Sequence, residues 1–229
     1  MSLTFIFLHG GPGFKDYLEP YFNSLEKKFT CVFYDQVRGS KVQIKDQVDQ
    51  LNDFVQESAS RVVLVGHSWG GVLATQYASL YSEKLAGLVL ISTGLNTTQW
   101  KDEFRAELKS LDLEDAPPEN IFLTSKELEL GKPLLDSTWE GFSEETFDSL
   151  DASFLGDYDL TNVLAKLHIP ILNVYGQKDI RFPTRVAKSF RKYNRNLTDL
   201  EISDAGHFPF LLKENRDKII KLIETTFAD

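Results

Sequence analysis

Three residues of this chain combine types that could turn a hydroxyl into a nucleophile: Ser68, His207 and Asp179. Ser68 stands in Gly66-His67-Ser68-Trp69-Gly70, after the apolar run Arg61 to Val65 and ahead of a helical pattern from Gly71 to Ser82. Gly-x-Ser-x-Gly between strand and helix marks a sharp turn that holds its serine in strained backbone. The flanking glycines remove β-carbons that would collide where the two elements meet. The helix behind the serine aims free amide groups and its positive end at the site, which favours negative charge developing on a bound oxygen.

A serine hydroxyl needs a base held in one tautomer by a carboxylate. Of the four histidines, His9 and His67 sit at strand ends beside glycine, where local packing is the plainer reading. His168 precedes Ile169-Pro170 at the start of a strand, the opposite edge of the sheet, and reads as structural. His207 lies in a loop past the last strand pattern and is the candidate base. Asp179 follows the run Ile169 to Tyr175 by a short turn, at the same sheet edge, and is the candidate acid. Asp204 is the rival, but three residues before His207 it suits a loop cap. The chain order serine, aspartate, histidine is one that strand-to-helix serine sites use. His9-Gly10-Gly11-Pro12-Gly13 follows the first strand pattern and by itself would read as a turn. Beside the serine turn, its small residues let backbone reach a substrate carbonyl, and the amides of Gly11 and Trp69 are the expected oxyanion donors.

These residues must be positioned by a sheet. Apolar runs at Thr4 to Leu8, Thr30 to Tyr34, Arg61 to Val65, Leu85 to Ser92, Ile169 to Tyr175 and Leu197 to Ile202 read as strands, those apolar along their full length as buried on both faces. Helical patterns lie between and after them, at Tyr17 to Lys27, Gln43 to Gln56, Gly71 to Ser82, Arg185 to Tyr193 and Asn215 to Phe227. This alternation predicts an α/β fold, a mostly parallel sheet of about six strands with helices on both faces. It breaks between Leu95 and Ala165, which shows no strand pattern and carries amphipathic pieces such as Trp100 to Ser110. Residues 95–165 are therefore expected as a helical cap, or lid, on a core formed by residues 1–94 and 166–229.

A chain of 229 residues suits one domain with an insertion. Its net charge of −9 offers no basic footprint for nucleic acid or an anionic membrane, leaving small molecules or short peptides as substrates. The cap segment holds 17 acidic and 5 basic residues, which leaves +3 for the remainder. An acidic mouth would attract a cationic or free-amine substrate, although a solvated acidic helix face accounts for the same composition. The single cysteine, Cys31, lies in an apolar run and reads as a buried strand residue that requires no oxidising compartment. The first residues lack a basic, long apolar leader, so a soluble cytoplasmic protein is expected.

Together these motifs resemble the α/β-hydrolase superfamily along nearly the whole chain, and His9-Gly10-Gly11-Pro12-Gly13 resembles its proline iminopeptidase branch. Asp35-Gln36 and Arg38-Gly39, split by Val37, are similar to the Asp-Gln-Arg-Gly stretch of that branch. Ser137-Thr138-Trp139-Glu140-Gly141 looks like the Trp-Glu segment with which its cap holds a substrate amine, implying Trp139 and Glu140 as substrate-binding residues. The antiparallel strands that usually precede the first parallel one have no counterpart here. The Thr30 to Tyr34 strand should therefore form a sheet edge, covered by a helix or by a second subunit. The implied activity is cleavage of an ester or amide through an acyl-enzyme, without metal or organic cofactor. The alternatives are a small-molecule carboxylesterase, a carbon–carbon bond hydrolase or, from another class, a binding protein that kept the fold. Dehalogenase and epoxide-hydrolase chemistry is disfavoured, because those relatives place aspartate where this chain has Ser68.

Overall fold

Each of the six apolar runs becomes a strand of one parallel sheet in the computed structural model, which describes residues 3–227. In chain order they are β1 (Thr4–Leu8), β2 (Thr30–Phe33), β3 (Val62–His67), β4 (Leu85–Ile91), β5 (Ile171–Gly176) and β6 (Thr198–Ile202). The helices are α1 (Glu19–Phe22), α2 (Ile44–Glu57), α3 (Trp69–Tyr81), α4 (Thr97–Leu111), α5 (Pro118–Phe122), α6 (Leu128–Glu140), α7 (Glu144–Leu150), α8 (Thr161–Lys166), α9 (Thr184–Ser189) and α10 (Lys213–Phe227). The strand order is β2-β1-β3-β4-β5-β6, with every neighbouring pair parallel.

The uninterrupted apolar runs follow from burial on both faces. Phe5, Phe7, Val63, Val65, Val89 and Ile91 pack with Leu18 and Phe22 of the α1 segment and Ile219, Ile223 and Phe227 of α10. Ile6, Leu8, Leu64, Leu88 and Leu90 pack on the other side with residues of α2, α3, α8 and α9. Burying such a side chain is worth about 1.5 to 3 kcal/mol. β2 forms one edge; its side chains are exposed or half-buried. Cys31 is accordingly half-buried rather than fully buried, and burial still pushes its thiol up to about 12.

The boundaries shift where side-chain hydrophobicity is a poor guide. β3 continues through Gly66 and His67, whose backbone pairs with Leu90 and Ile91. β5 starts only after Pro170, which has no N–H for the ladder but accepts at its carbonyl from Leu88. The expected helix Tyr17 to Lys27 is one α-turn, α1, followed by 3-10 turns over Asn23–Lys27. Asn23 and Ser24, whose side chains compete for backbone hydrogen bonds, stand where α1 stops.

Between β4 and β5 the regular elements are helices, α4 to α8. The base of this insertion is closed by an Asn96–Asp159 bridge, by Leu160 N–H on the Leu95 carbonyl (2.7 Å) and by Thr97 N–H on the Tyr158 carbonyl (2.9 Å). No helix among the described residues is long and apolar enough to cross a membrane. The chain leaves β1 for β2 on one side and reaches β3 on the other, so the carboxyl ends of β1 and β3 form a topological switch point, where such sheets place their ligand crevice.

Candidate active site

Ser68 links β3 directly to α3 at φ 55° and ψ −119°, a left-handed conformation rare for a residue with a side chain. The turn is possible because its neighbours carry no side chain. A β-carbon on Gly66 would stand 2.3 Å from the Gly70 carbonyl oxygen, and one on Gly70 would stand 2.0 Å from that of Leu8. The strained peptide is pinned on both sides. Ser68 N–H donates to the Ile91 carbonyl (2.9 Å), and its own carbonyl accepts from Thr93 Oγ1 (2.7 Å) and from Gly71 N–H (3.0 Å).

Asp179 and His207 follow β5 and β6 and meet at that same rim. His207 Nδ1 lies 3.0 Å from Asp179 Oδ2, with both side chains buried, and Asp179 Oδ1 accepts from Phe182 N–H at 2.9 Å. The loop that carries His207 is also held through its backbone. His207 N–H donates to Phe122 O (2.9 Å), and Gly206 N–H donates to the buried Glu127 carboxylate, which accepts from Thr124 as well. Burial outweighs these bonds and raises the Glu127 pKa. Asp204, the rival acid, instead pairs at the surface with Lys126 (2.6 Å) and Lys178 (3.1 Å). His168 is exposed. Ser68 and His207 open on one cavity of about 680 Å³, and no hydrogen bond joins them among the described residues.

His67, which looked like a locally packed histidine, proves to join three loops. Its Nε2 lies 2.8 Å from the His207 carbonyl, so Nε2 carries the proton, and Nδ1 accepts from the Tyr17 hydroxyl at 2.6 Å. That hydroxyl in turn accepts from Gly10 N–H at 2.8 Å. Burial, together with nearby His207, holds His67 well below its ordinary value, in the neutral form this chain of bonds requires. His9 is buried too and pulled down to about 4; its Nε2 accepts from Gln36 N–H, while Nδ1 faces the Gly10 carbonyl. Gln36 and Gln47 hold the Trp69 indole N–H at 3.0 and 3.1 Å. Nothing in the spacing of Tyr17 or Glu127 marks them, and Gln36 was marked only as part of a resemblance; the folded contacts give all three their roles. Tyr17→Phe leaves two buried polar groups unpaired, so a denaturant titration should show a loss of about 2 kcal/mol; an unchanged midpoint would refute this chain of bonds.

Gly11, at φ 58°, and Trp69 both line the cavity, and their amides make no backbone hydrogen bond among the described residues, whereas that of Gly10 is taken by Tyr17. Trp139 also lines the cavity, edge-on to Phe14 with ring centroids 5.3 Å apart. Glu140 does not: it ends α6 with an exposed side chain outside the cavity wall. The carboxylates that do border the cavity are Glu144, Asp148 and Asp151, all exposed, and Lys101, Arg105 and Arg181 line it as well. Aromatic rings, among them Phe104, Phe122, Phe142 and Phe182, supply much of the remaining surface.

A parallel sheet with a strained serine turn, and a histidine–aspartate pair at the same rim, defines a class of protein before any comparison is made. The Alpha/beta hydrolase family matches residues 5–222, and the chain belongs to that family. It is thus a hydrolase, with esterases and peptidases among its relatives. Pimeloyl-acyl-carrier-protein methyl ester esterase of Wigglesworthia glossinidia brevipalpis is 28% identical, over 68% of this chain and 66% of that protein. Proline iminopeptidase of Saccharolobus solfataricus is 27% identical, over 95% of this chain and 82% of that protein. The crystal structure of a proline iminopeptidase-related protein from Thermus thermophilus superposes with a TM-score of 0.80 at 17% identity, covering 98% of this chain and 90% of that one, and shares the fold.

Proposed function

We propose that this hydrolase cleaves a carboxylic ester through an acyl-enzyme, with Ser68 as nucleophile, His207 as general base and Asp179 as the residue that orients the imidazole. The observation that carries the reading is the 3.0 Å contact of His207 Nδ1 with a buried Asp179 carboxylate, beside a serine in strained backbone on the same cavity. Asp179 keeps the Nδ1 proton, which leaves Nε2 to take the proton from Ser68 as its oxygen attacks the carbonyl carbon. The amides of Gly11 and Trp69 receive the oxyanion, each worth about 3 to 4 kcal/mol of barrier. The imidazolium then gives its proton to the leaving alcohol, and a water, activated in turn by His207, releases the acid.

An aromatic wall suits the acyl chain of an ester better than the ammonium of a peptide, and Glu140, the expected amine ligand, stands outside it. Amide cleavage next to a free amine is the second reading, favoured by Glu144, Asp148 and Asp151 at the cavity border. A fluorophosphonate probe should label the wild type and not Ser68→Ala; an unlabelled wild type would favour a binding protein. A parallel screen of nitrophenyl esters against prolyl and other aminoacyl anilides should find ester turnover, and cleavage of anilides alone would replace the first reading by the second.

A further inference from the structure

Arg181 lies two residues past Asp179, where the turn after β5 meets the insertion. Its guanidinium carbon sits 4.3 Å from the Trp100 ring centroid and 4.8 Å from that of Phe104, both on α4, and it lines the same cavity as Ser68 and His207. Among the described residues it makes neither an ion pair nor a hydrogen bond. Arg185, four positions on, is by contrast held by both Glu103 and Glu107. The carboxylate closest in sequence, Asp179, is committed to His207 and to Phe182 N–H. Burial lowers the Arg181 pKa, a sign that its surroundings do not solvate the charge well.

A guanidinium stacked on aromatic faces keeps its rim of N–H donors free, and that fork matches a carboxylate. Lys101, with its ammonium 5.6 Å from the Trp100 ring centroid, adds positive charge to the same wall. One phenyl ring separates this wall from the reacting groups: Phe182 has its ring centroid 5.5 Å from that of His207 and 5.7 Å from the Arg181 guanidinium carbon. A ligand reaching from Ser68 to Arg181 would therefore need only a short chain.

Resting on the ester-hydrolase reading, we propose that Arg181 is a specificity residue that holds a free carboxylate of the substrate, so that the preferred esters are anionic ones with the carboxylate a few bonds from the scissile carbonyl. This reverses the expectation drawn from the acidity of the cap, because its cavity-bordering acids are exposed while the unpaired cation is packed into the wall.

The test compares kcat/KM within two pairs of esters matched in length. Monomethyl adipate against methyl hexanoate places the carboxylate on the acyl side; the butanoyl ester of 5-hydroxypentanoate against pentyl butanoate places it on the alcohol side. The wild type should prefer the charged member of one pair at least tenfold, which also says on which side the carboxylate lies. Arg181→Met should lower that charged-to-neutral ratio at least tenfold, and Arg181→Lys should keep part of it. Equal turnover within both pairs by the wild type, or a ratio unchanged in Arg181→Met, overturns the proposal. Fluorophosphonate labelling of the same samples separates the two readings, since a labelled wild type without charge preference refutes the carboxylate site alone. If the wild type neither labels nor turns over any ester, calorimetric titration of Ser68→Ala with both charged esters decides the site: binding lost in the added Arg181→Met variant supports it, and no binding overturns it.

Discussion

Ser68→Ala should lower kcat on a cleaved ester by on the order of a million-fold, His207→Ala should do about as much, and the double variant should be no worse, because the two groups act as a unit. Asp179→Asn should cost about ten-thousand-fold in kcat for a reason visible in the contacts. Asp179 Oδ1 accepts from Phe182 N–H while Oδ2 faces His207 Nδ1. An asparagine must keep its carbonyl oxygen toward Phe182 and so turns its NH2 toward Nδ1, which forces the proton onto Nε2 and removes the base. Steady-state rates of the four variants check this, and substantial activity in His207→Ala would assign the base elsewhere. The strained serine turn should survive each change, because Ser68 is held by its backbone through Ile91, Thr93 and Gly71 rather than by its hydroxyl.

The second large effect concerns acid stability. His9 and His67 are neutral in the fold, with pKa values depressed by burial from an ordinary 6.5, His9 to about 4 and His67 well below its ordinary value. As pH falls below 6.5 the unfolded chain takes up two protons that the folded chain refuses, so stability falls with pH by about 1.4 kcal/mol per unit for each histidine. For His9 the loss continues down to about pH 4. Asp16 and Glu127, whose carboxyls are raised by burial, work in the opposite sense where they protonate. The depressed carboxyls of Asp159 and Asp204 matter only below about 4, where their unfolded counterparts titrate. Denaturant titrations should therefore give about 2 to 4 kcal/mol less stability at pH 5 than at pH 7. A flat profile across that interval would mean that both histidines take up protons in the fold as readily as in the unfolded chain, against the acceptor roles assigned to His9 Nε2 and His67 Nδ1.

Much of this molecule is written in local pattern. Alternation of apolar runs with helical stretches determines the parallel sheet, since a strand buried on both faces must be apolar throughout. The pair of glycines around Ser68 permits the turn, because a β-carbon on either would stand 2.0 to 2.3 Å from a backbone oxygen. Position relative to the strand patterns singled out His207 over His168 and Asp179 over Asp204. What the tertiary structure decided is everything that depends on which distant surfaces meet. Glu140 was tied to a substrate amine by motif, yet α6 turns it to solvent, while Glu144, Asp148 and Asp151 border the cavity. Tyr17, His67 and Gly10 are separated by up to 57 positions and become one chain of hydrogen bonds only because β1 and β3 are neighbours. Arg181 acquires its unpaired charge from the rings of α4, more than 70 residues away. Periodicity reports what a segment buries, whereas the partner a polar side chain finds there is set by the packing of whole elements against one another.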